Sequence, residues 1–271
     1  MNGHRARKRF GQNFLHDRRI IDAIIRRFDP QADQLVVEIG PGLGALTAPL
    51  LEHLPHLHVV ELDRDLVVHL QGRFGQNLIV HGEDALKFDF SALVDDDRKL
   101  RIIGNLPYNI STPLLFHLLA QSEAISDMTF MLQKEVVQRM LAGPGSKVYG
   151  RLSVMLQSRC TISKVLDVGP GAFEPAPKVD SAVVRLTPHA VLPDRVCERP
   201  CFAELVAASF AHRRKTLRNN LKNMLDAEQI EASGIDPARR AETLSQEEFI
   251  GLARVYCETE IRPECQRVTS T

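Results

Sequence analysis

Asn105-Leu106-Pro107-Tyr108 is the stretch whose residue types most directly suggest a reaction. Pro107 stiffens a turn, Tyr108 offers a flat stacking face, and the Asn105 side-chain carbonyl with the Leu106 main-chain carbonyl offers two acceptors. That set suits an exocyclic amine on a base. The adenine N6 lone pair is delocalised into the ring and is a poor nucleophile. Two acceptors on its N–H bonds favour a more tetrahedral nitrogen and aim the lone pair at an electrophile. The chemistry implied is methyl transfer from a sulfonium, driven by in-line positioning and by acceptors that stabilise developing positive charge. A strong general base is not required, because the nitrogen becomes acidic only once it has taken the methyl group.

A second group lies upstream. Gly40-x-Gly42-x-x-Ala45 fits the permissive dinucleotide fingerprint, and Glu61 follows at the end of the next apolar run, where an acid grips ribose hydroxyls. Alone this supports NAD or any adenosine-bearing ligand, so it places a site without choosing the chemistry. Asp84, in Gly82-Glu83-Asp84-Ala85, is either a solvated loop acid or an acceptor for the ligand's adenine amine.

Such residues must be brought together by strands. Short apolar strands are predicted at 35–39, 59–62, 78–80, 100–104 and 129–132, with helical spacing over 20–28, 45–54 and 63–70 between them. This alternation indicates parallel βαβ units and a doubly wound α/β sheet. Beyond residue 145 the pattern changes to a helix over 152–160, a strand pair at 162–168 and 182–186, and then helical periodicity alone. The division is placed at 192, giving a catalytic domain over 1–192 and a helical domain over 193–271.

With 44% hydrophobic and 25% charged residues, the 271-residue chain has the composition of a soluble globular protein rather than a disordered one. It has neither a membrane-length apolar run nor a secretory signal, so a cytoplasmic protein with no membrane partner is expected. Cys160, Cys197, Cys201, Cys257 and Cys265 form no C-x-x-C pair and are expected to be buried thiols in a reducing compartment, with no metal site. The net charge of zero conceals segregation: residues 205–225 carry Arg213, Arg214, Lys215, Arg218 and Lys222 without an acid, while acids gather beyond 225. A basic helix over 210–221 is predicted to grip RNA phosphates through Arg213, Arg214, Lys215 and Arg218, with a second basic zone at Arg5–Arg9.

In order along nearly the whole chain, several motifs resemble the ribosomal RNA adenine dimethyltransferase family, and within it the bacterial small-subunit branch. They are Phe10-Gly11-Gln12-Asn13-Phe14-Leu15, the 40–44 loop, Glu61, Glu83-Asp84-Ala85, Asn105 to Tyr108, Gln133-Lys134-Glu135-Val136-Val137, Tyr149-Gly150-Arg151-Leu152-Ser153, the 173–181 run and Arg213-Arg214-Lys215. The resemblance implies a Rossmann-like class I sheet dependent on S-adenosylmethionine (SAM), with a small C-terminal helical domain. It implies that Asn13 and Leu15 fold over SAM, Gly40 abuts its methionine part, Glu61 holds the ribose, Asp84 lies near the adenine amine, and Asn105 bridges cofactor and target base. It also implies that Phe173 stacks on the flipped base opposite Tyr108. The partner implied is 16S rRNA in the small ribosomal subunit or its precursor. The product is N6-dimethylation of two adjacent adenosines in a hairpin near the 3′ end, made by a monomer during small-subunit biogenesis.

A large-subunit adenine methylase is the alternative enzyme; the long 173–181 loop and the basic C-terminal segment favour the small-subunit one. A non-catalytic RNA-binding assembly factor would carry a degraded glycine loop or lack Asn105, and this chain does neither. A nicotinamide oxidoreductase would need a separate substrate domain, for which no segment stands out.

Overall fold

The computed structural model describes residues 12–266, with side chains as far as Glu258. Arg5, Arg7, Lys8, Arg9, Phe10 and Gly11, and the side chain of Cys265, lie outside the described residues.

The strands are β1 (Phe14–Leu15), β2 (Leu35–Ile39), β3 (Leu57–Val60), β4 (Leu78–His81), β5 (Leu100–Asn105), β6 (Ile125–Gln133), β7 (Cys160–Val168), β8 (Phe173–Glu174) and β9 (Ser181–Pro188). The helices are α1 (Arg18–Phe28), α2 (Thr47–Leu51), α3 (Arg64–Phe74), α4 (Ser111–Ala120), α5 (Lys134–Leu141), α6 (Arg151–Gln157), α7 (Pro200–Ser209), α8 (Leu217–Asn220), α9 (Ala227–Ala232) and α10 (Gln246–Gln266). Local chemistry sets their ends. Asp17 caps α1 by accepting from the Arg19 backbone N–H at 2.8 Å. Asp29 closes the same helix in the left-handed region at φ 52°, just before Pro30. Between those ends α1 buries Ile24, Ile25 and Phe28.

The main sheet runs β4-β3-β2-β5-β6-β9-β7. β2 pairs in parallel with β3 and β5, as does β3 with β4 and β5 with β6. β9 is antiparallel to β6. The chain winds one way from β2 to β3 and β4, then returns to the other side of β2 as β5. The crevice at such a reversal, beyond the strands' C-terminal ends, is where open α/β sheets bind ligands. Gly40 follows β2 and Asn105 ends β5 at this reversal. The two strands approach so closely there that a Cβ on Gly104 would lie 2.5 Å from the Ile39 carbonyl oxygen, so only glycine fits. Separately, β1 pairs antiparallel with β8, Phe14 opposite Glu174 and Leu15 opposite Phe173.

By contacts the chain divides into two compact units: the part up to Val137 with Thr161–Pro188, and Gln138–Cys160 with the part from His189 onward. This differs from a single cut at 192, because residues 138–160 join the helical unit. Backbone bonds tie the segment to the rest of that unit: the Gly145 N–H donates to the Glu242 carbonyl at 2.7 Å, and the His189 N–H to the Arg159 carbonyl at 2.9 Å.

Two other expectations are corrected in the helical unit. Residues 213–215 lie in a turn between α7 and α8, not in a helix. The Asn220 amide supplies the stop, donating to the Ser209 carbonyl at 2.7 Å and so satisfying an end of α7 from outside it. The cysteines are not all thiols: Cys201 of α7 and Cys257 of α10 form a disulfide with Cα atoms 5.7 Å apart. Facing helices bring together residues that carry no pairing signal in sequence. Cys160 and Cys197 remain free and buried, and burial pushes their thiols up to about 12 and about 11. Among the described residues no group of three or more His, Cys, Asp or Glu could hold a metal ion, and no helix is long and apolar enough to cross a membrane.

Candidate active site

A cavity of about 1040 Å³ opens at the reversal point of the sheet, within the first unit. Its walls come from the segment through β1, the loop after β2, the ends of β3 and β4, the turn after β5 and the end of β8. Asn13, Leu15, Gly40, Glu61, Asp84 and Asn105 all line it, as do Leu106, Pro107 and Tyr108.

Gly40 adopts φ +65°, a conformation that side-chain-bearing residues rarely take, and its backbone N–H donates to the Val60 carbonyl at 3.0 Å. The sharp turn therefore brings bare backbone to the cavity wall. Glu61, 8% exposed, accepts from the Asp63 backbone N–H at 2.9 Å and, at the long distance of 3.4 Å, from that of Gly42. Burial raises its pKa, and these backbone donors offset part of the rise by favouring the charged form. Asp84 turns one oxygen, Oδ1, to the Leu86 N–H at 3.0 Å.

Asn105 is oriented from across the cavity. Its Nδ2 donates to the main-chain carbonyl of Asn13 at 2.9 Å. A carbonyl can only accept, so the amide is fixed with Oδ1 as its remaining acceptor. The β1–β8 pairing holds Asn13 in reach, since it secures the adjacent Phe14 and Leu15. Pro107 and Ile110 close the next turn through a 3.2 Å backbone bond, and the Tyr108 hydroxyl meets Ser181 Oγ at 2.7 Å. Burial raises the Tyr108 pKa, so the phenol stays neutral.

Phe173 departs from expectation. It is 2% exposed, packs in the apolar cluster with Leu15, Ile24 and Phe28, and is not part of the cavity wall. Alternation along β8 is the cause: Phe173 faces the core, while Glu174 and Pro175 reach the cavity.

A model of the ribosomal RNA adenine dimethylase family matches residues 3–258. The chain belongs to that family. Relatives of this dimethylase include the ribosomal RNA small subunit methyltransferase A of Alcanivorax borkumensis, 56% identical over 94% of this chain and 91% of its own length. Its counterpart from Saccharophagus degradans is also 56% identical, over 93% of this chain and 95% of that one. Among solved structures, a dimethyladenosine transferase from Plasmodium falciparum superposes with a TM-score of 0.77 at 26% identity, covering 91% of this chain and 98% of that one. The 23S rRNA methyltransferase ErmE superposes at 0.68 and 25% identity, covering 90% of this chain and all of that one. The dimethylase is thus an rRNA adenine methyltransferase on the class I α/β methyltransferase fold.

Two further residues bear on the site, Glu38 in the cavity wall and Ser181 in contact with Tyr108, and neither was singled out in the sequence. Glu38 sits in β2, 1% exposed, with Thr47 Oγ1 donating to its Oε2 at 2.6 Å. Burial, with a smaller contribution from the nearby Glu61 charge, pushes its pKa up to about 8. Among the carboxyls that line the cavity, Glu38 is thus buried beside Glu61, and its raised pKa favours the protonated form near neutral pH. An acid inside an apolar strand two residues before Gly40 was the available signal. Ser181, the Tyr108 partner, closes the 173–181 run and is fully buried. Nothing local to it marks that contact.

In the helical unit the four expected phosphate-binding side chains differ. Arg213 is already engaged, with Nε donating to Glu242 Oε2 at 2.7 Å and an NH2 group to the Lys147 carbonyl. Arg214, Lys215 and Arg218 are exposed, and their side chains make no hydrogen bond or ion pair among the described residues.

Proposed function

We propose that the chain uses SAM to dimethylate N6 of two adjacent adenosines in a hairpin near the 3′ end of 16S rRNA, during small-subunit biogenesis. The observation that carries this is the Asn105 amide, held through Nδ2 so that Oδ1 is the acceptor offered at the sheet's reversal point. Relatives named as small-subunit methyltransferases, 56% identical to this chain, favour that subunit over the large one.

The residues present fit the cofactor: a buried carboxylate, a bare backbone turn and a cavity of about 1040 Å³ meet at one place. Gly40 leaves room for the methionine part, Glu61 takes the ribose hydroxyls, and Asp84 has an oxygen beyond the one given to Leu86 for an adenine amine. Asn13 and Leu15 cover the cofactor. When bound, the sulfonium supplies an electrophilic methyl group. Asn105 Oδ1 and the Leu106 carbonyl accept the target amine's N–H bonds, turning its lone pair outward, and Pro107 keeps the two acceptors in fixed relation. Tyr108 stacks on the flipped base. The proton shed after transfer leaves from a cationic nitrogen and needs no dedicated base. Arg214, Lys215 and Arg218 neutralise RNA phosphates, so catalysis belongs to the first unit and the RNA grip to the helical unit of a monomeric cytoplasmic protein.

The test is mass spectrometry of rRNA nucleosides after incubating the protein with SAM and unmethylated small subunits. Dimethyladenosine at two neighbouring 16S positions is expected. Monomethyladenosine as the end product, or modification of 23S rRNA alone, would overturn the proposal.

A further inference from the structure

The Tyr108 ring is held at both ends. At its backbone, Ser111 Oγ, at the start of α4, donates to the Tyr108 carbonyl at 3.1 Å. At its tip, the hydroxyl bonds to Ser181 Oγ at 2.7 Å, across 73 residues of sequence. Ser181 is 0% exposed and opens β9, where it stands opposite Gln133 of β6. The next residue of β6's extension, Lys134, donates its N–H to the Asp180 carbonyl at 2.9 Å, so the backbone on both sides of Ser181 is fixed. A half-buried tyrosine on a turn would otherwise rotate about χ1 and χ2, offering its face to the cavity for only part of the time.

We propose that Ser181 is a positioning residue for base recognition. Its hydroxyl pins the Tyr108 ring in the orientation that receives the target base. This rests on the assignment of Tyr108 as the stacking residue. It gives the 173–181 run a role different from the stacking expected of Phe173: the run returns the chain to β9 and delivers the serine that orients the other aromatic. Phe173 at its start packs into the core, and Ser181 at its end reaches Tyr108.

Ordering one ring by one neutral hydrogen bond corresponds to about a 3- to 10-fold effect. Ser181→Ala and Tyr108→Phe each delete the bond from one side, and Tyr108→Phe keeps the ring and leaves β9 untouched. Each is expected to lower kcat on small-subunit RNA about 3- to 10-fold, with the cofactor Kd by calorimetry and the KM for RNA nearly unchanged. The double variant should be no worse than the poorer single one. A second readout uses an RNA carrying 2-aminopurine at the target position, whose fluorescence is quenched on stacking; both variants should quench it less. Wild-type kcat and quenching in Ser181→Ala would overturn the proposal, as would losses that multiply in the double variant. Tyr108→Ala separates the underlying assignment: full activity there would remove Tyr108 from base stacking altogether. Impaired Tyr108→Ala with a normal Ser181→Ala would reject only the role of Ser181.

Discussion

Replacing Asn105 by alanine removes two interactions that affect different steps. One, under the proposed mechanism, is the Oδ1 acceptor on the target amine, which would matter as positive charge grows on nitrogen. By analogy with single donors of oxyanion holes, loss of one such preorganised partner costs about 2.7–4 kcal/mol, or roughly 100- to 1000-fold in rate. The other is the 2.9 Å bond from Nδ2 to the Asn13 carbonyl, which steadies a wall of the cavity proposed to hold the cofactor. A neutral bond of that kind contributes about 1 kcal/mol net, equivalent to roughly fivefold in cofactor Kd. Single-turnover methyl transfer at saturating cofactor isolates the first loss, and calorimetry with cofactor alone reads the second. Asn105→Asp separates them further, because a carboxylate keeps the acceptor but faces the Asn13 carbonyl with no proton to give. It should bind cofactor at least as poorly as the alanine variant while transferring faster once saturated. Single-turnover transfer by Asn105→Ala within about threefold of wild type would refute acceptor control of the lone pair.

Among the basic residues, Arg214→Ala, Lys215→Ala and Arg218→Ala should each reduce the salt dependence of RNA binding by about 0.7–0.9 in log–log slope. Arg213→Ala should leave that slope closer to wild type and instead lower the unfolding midpoint, by a cost of up to about 1 kcal/mol for a half-exposed ion pair with Glu242. A slope change as large as that of Lys215→Ala would contradict its structural engagement. Glu38, with a usual value of 4.5 and a folded value of about 8, binds its proton more tightly in the folded state. Stability from this group is therefore fully present below the unfolded value and is lost as pH rises toward the folded one, by at most about 5 kcal/mol. Glu38→Gln should flatten that decline in denaturant midpoints between the two values; parallel curves for the two proteins would show that the carboxyl is not held protonated.

Several parts of the site were legible because their signals are local. Gly40 marks a turn after an apolar strand, Glu61 directly follows the next strand, and Asn105 ends the strand that returns to the other side of the sheet, with Leu106 to Tyr108 after it. Parallel pairing then carries all of them to one edge, since every such strand ends on the same side. The alternation of apolar runs and helical spacing was enough to place that edge. The Phe173 side chain was not legible: a lone aromatic at the start of a proline-rich loop reads alike whether it faces ligand or core. Pairing of β8 with β1 decided it.

The order of motifs along the chain determined the family, the sheet and the edge that carries the cavity, because each motif is a contiguous turn or strand end whose geometry follows from its own residues. Tertiary structure decided what depends on distant neighbours. It brought Ser181 to Tyr108 across 73 residues and Cys201 to Cys257 across 56, joined 138–160 to the helical unit, and broke the expected basic helix at Asn220's bond to Ser209. It also set the protonation of Glu38. Burial, hydrogen-bond partners and pKa belong to the surroundings of a side chain, and those surroundings exist only once the chain has folded.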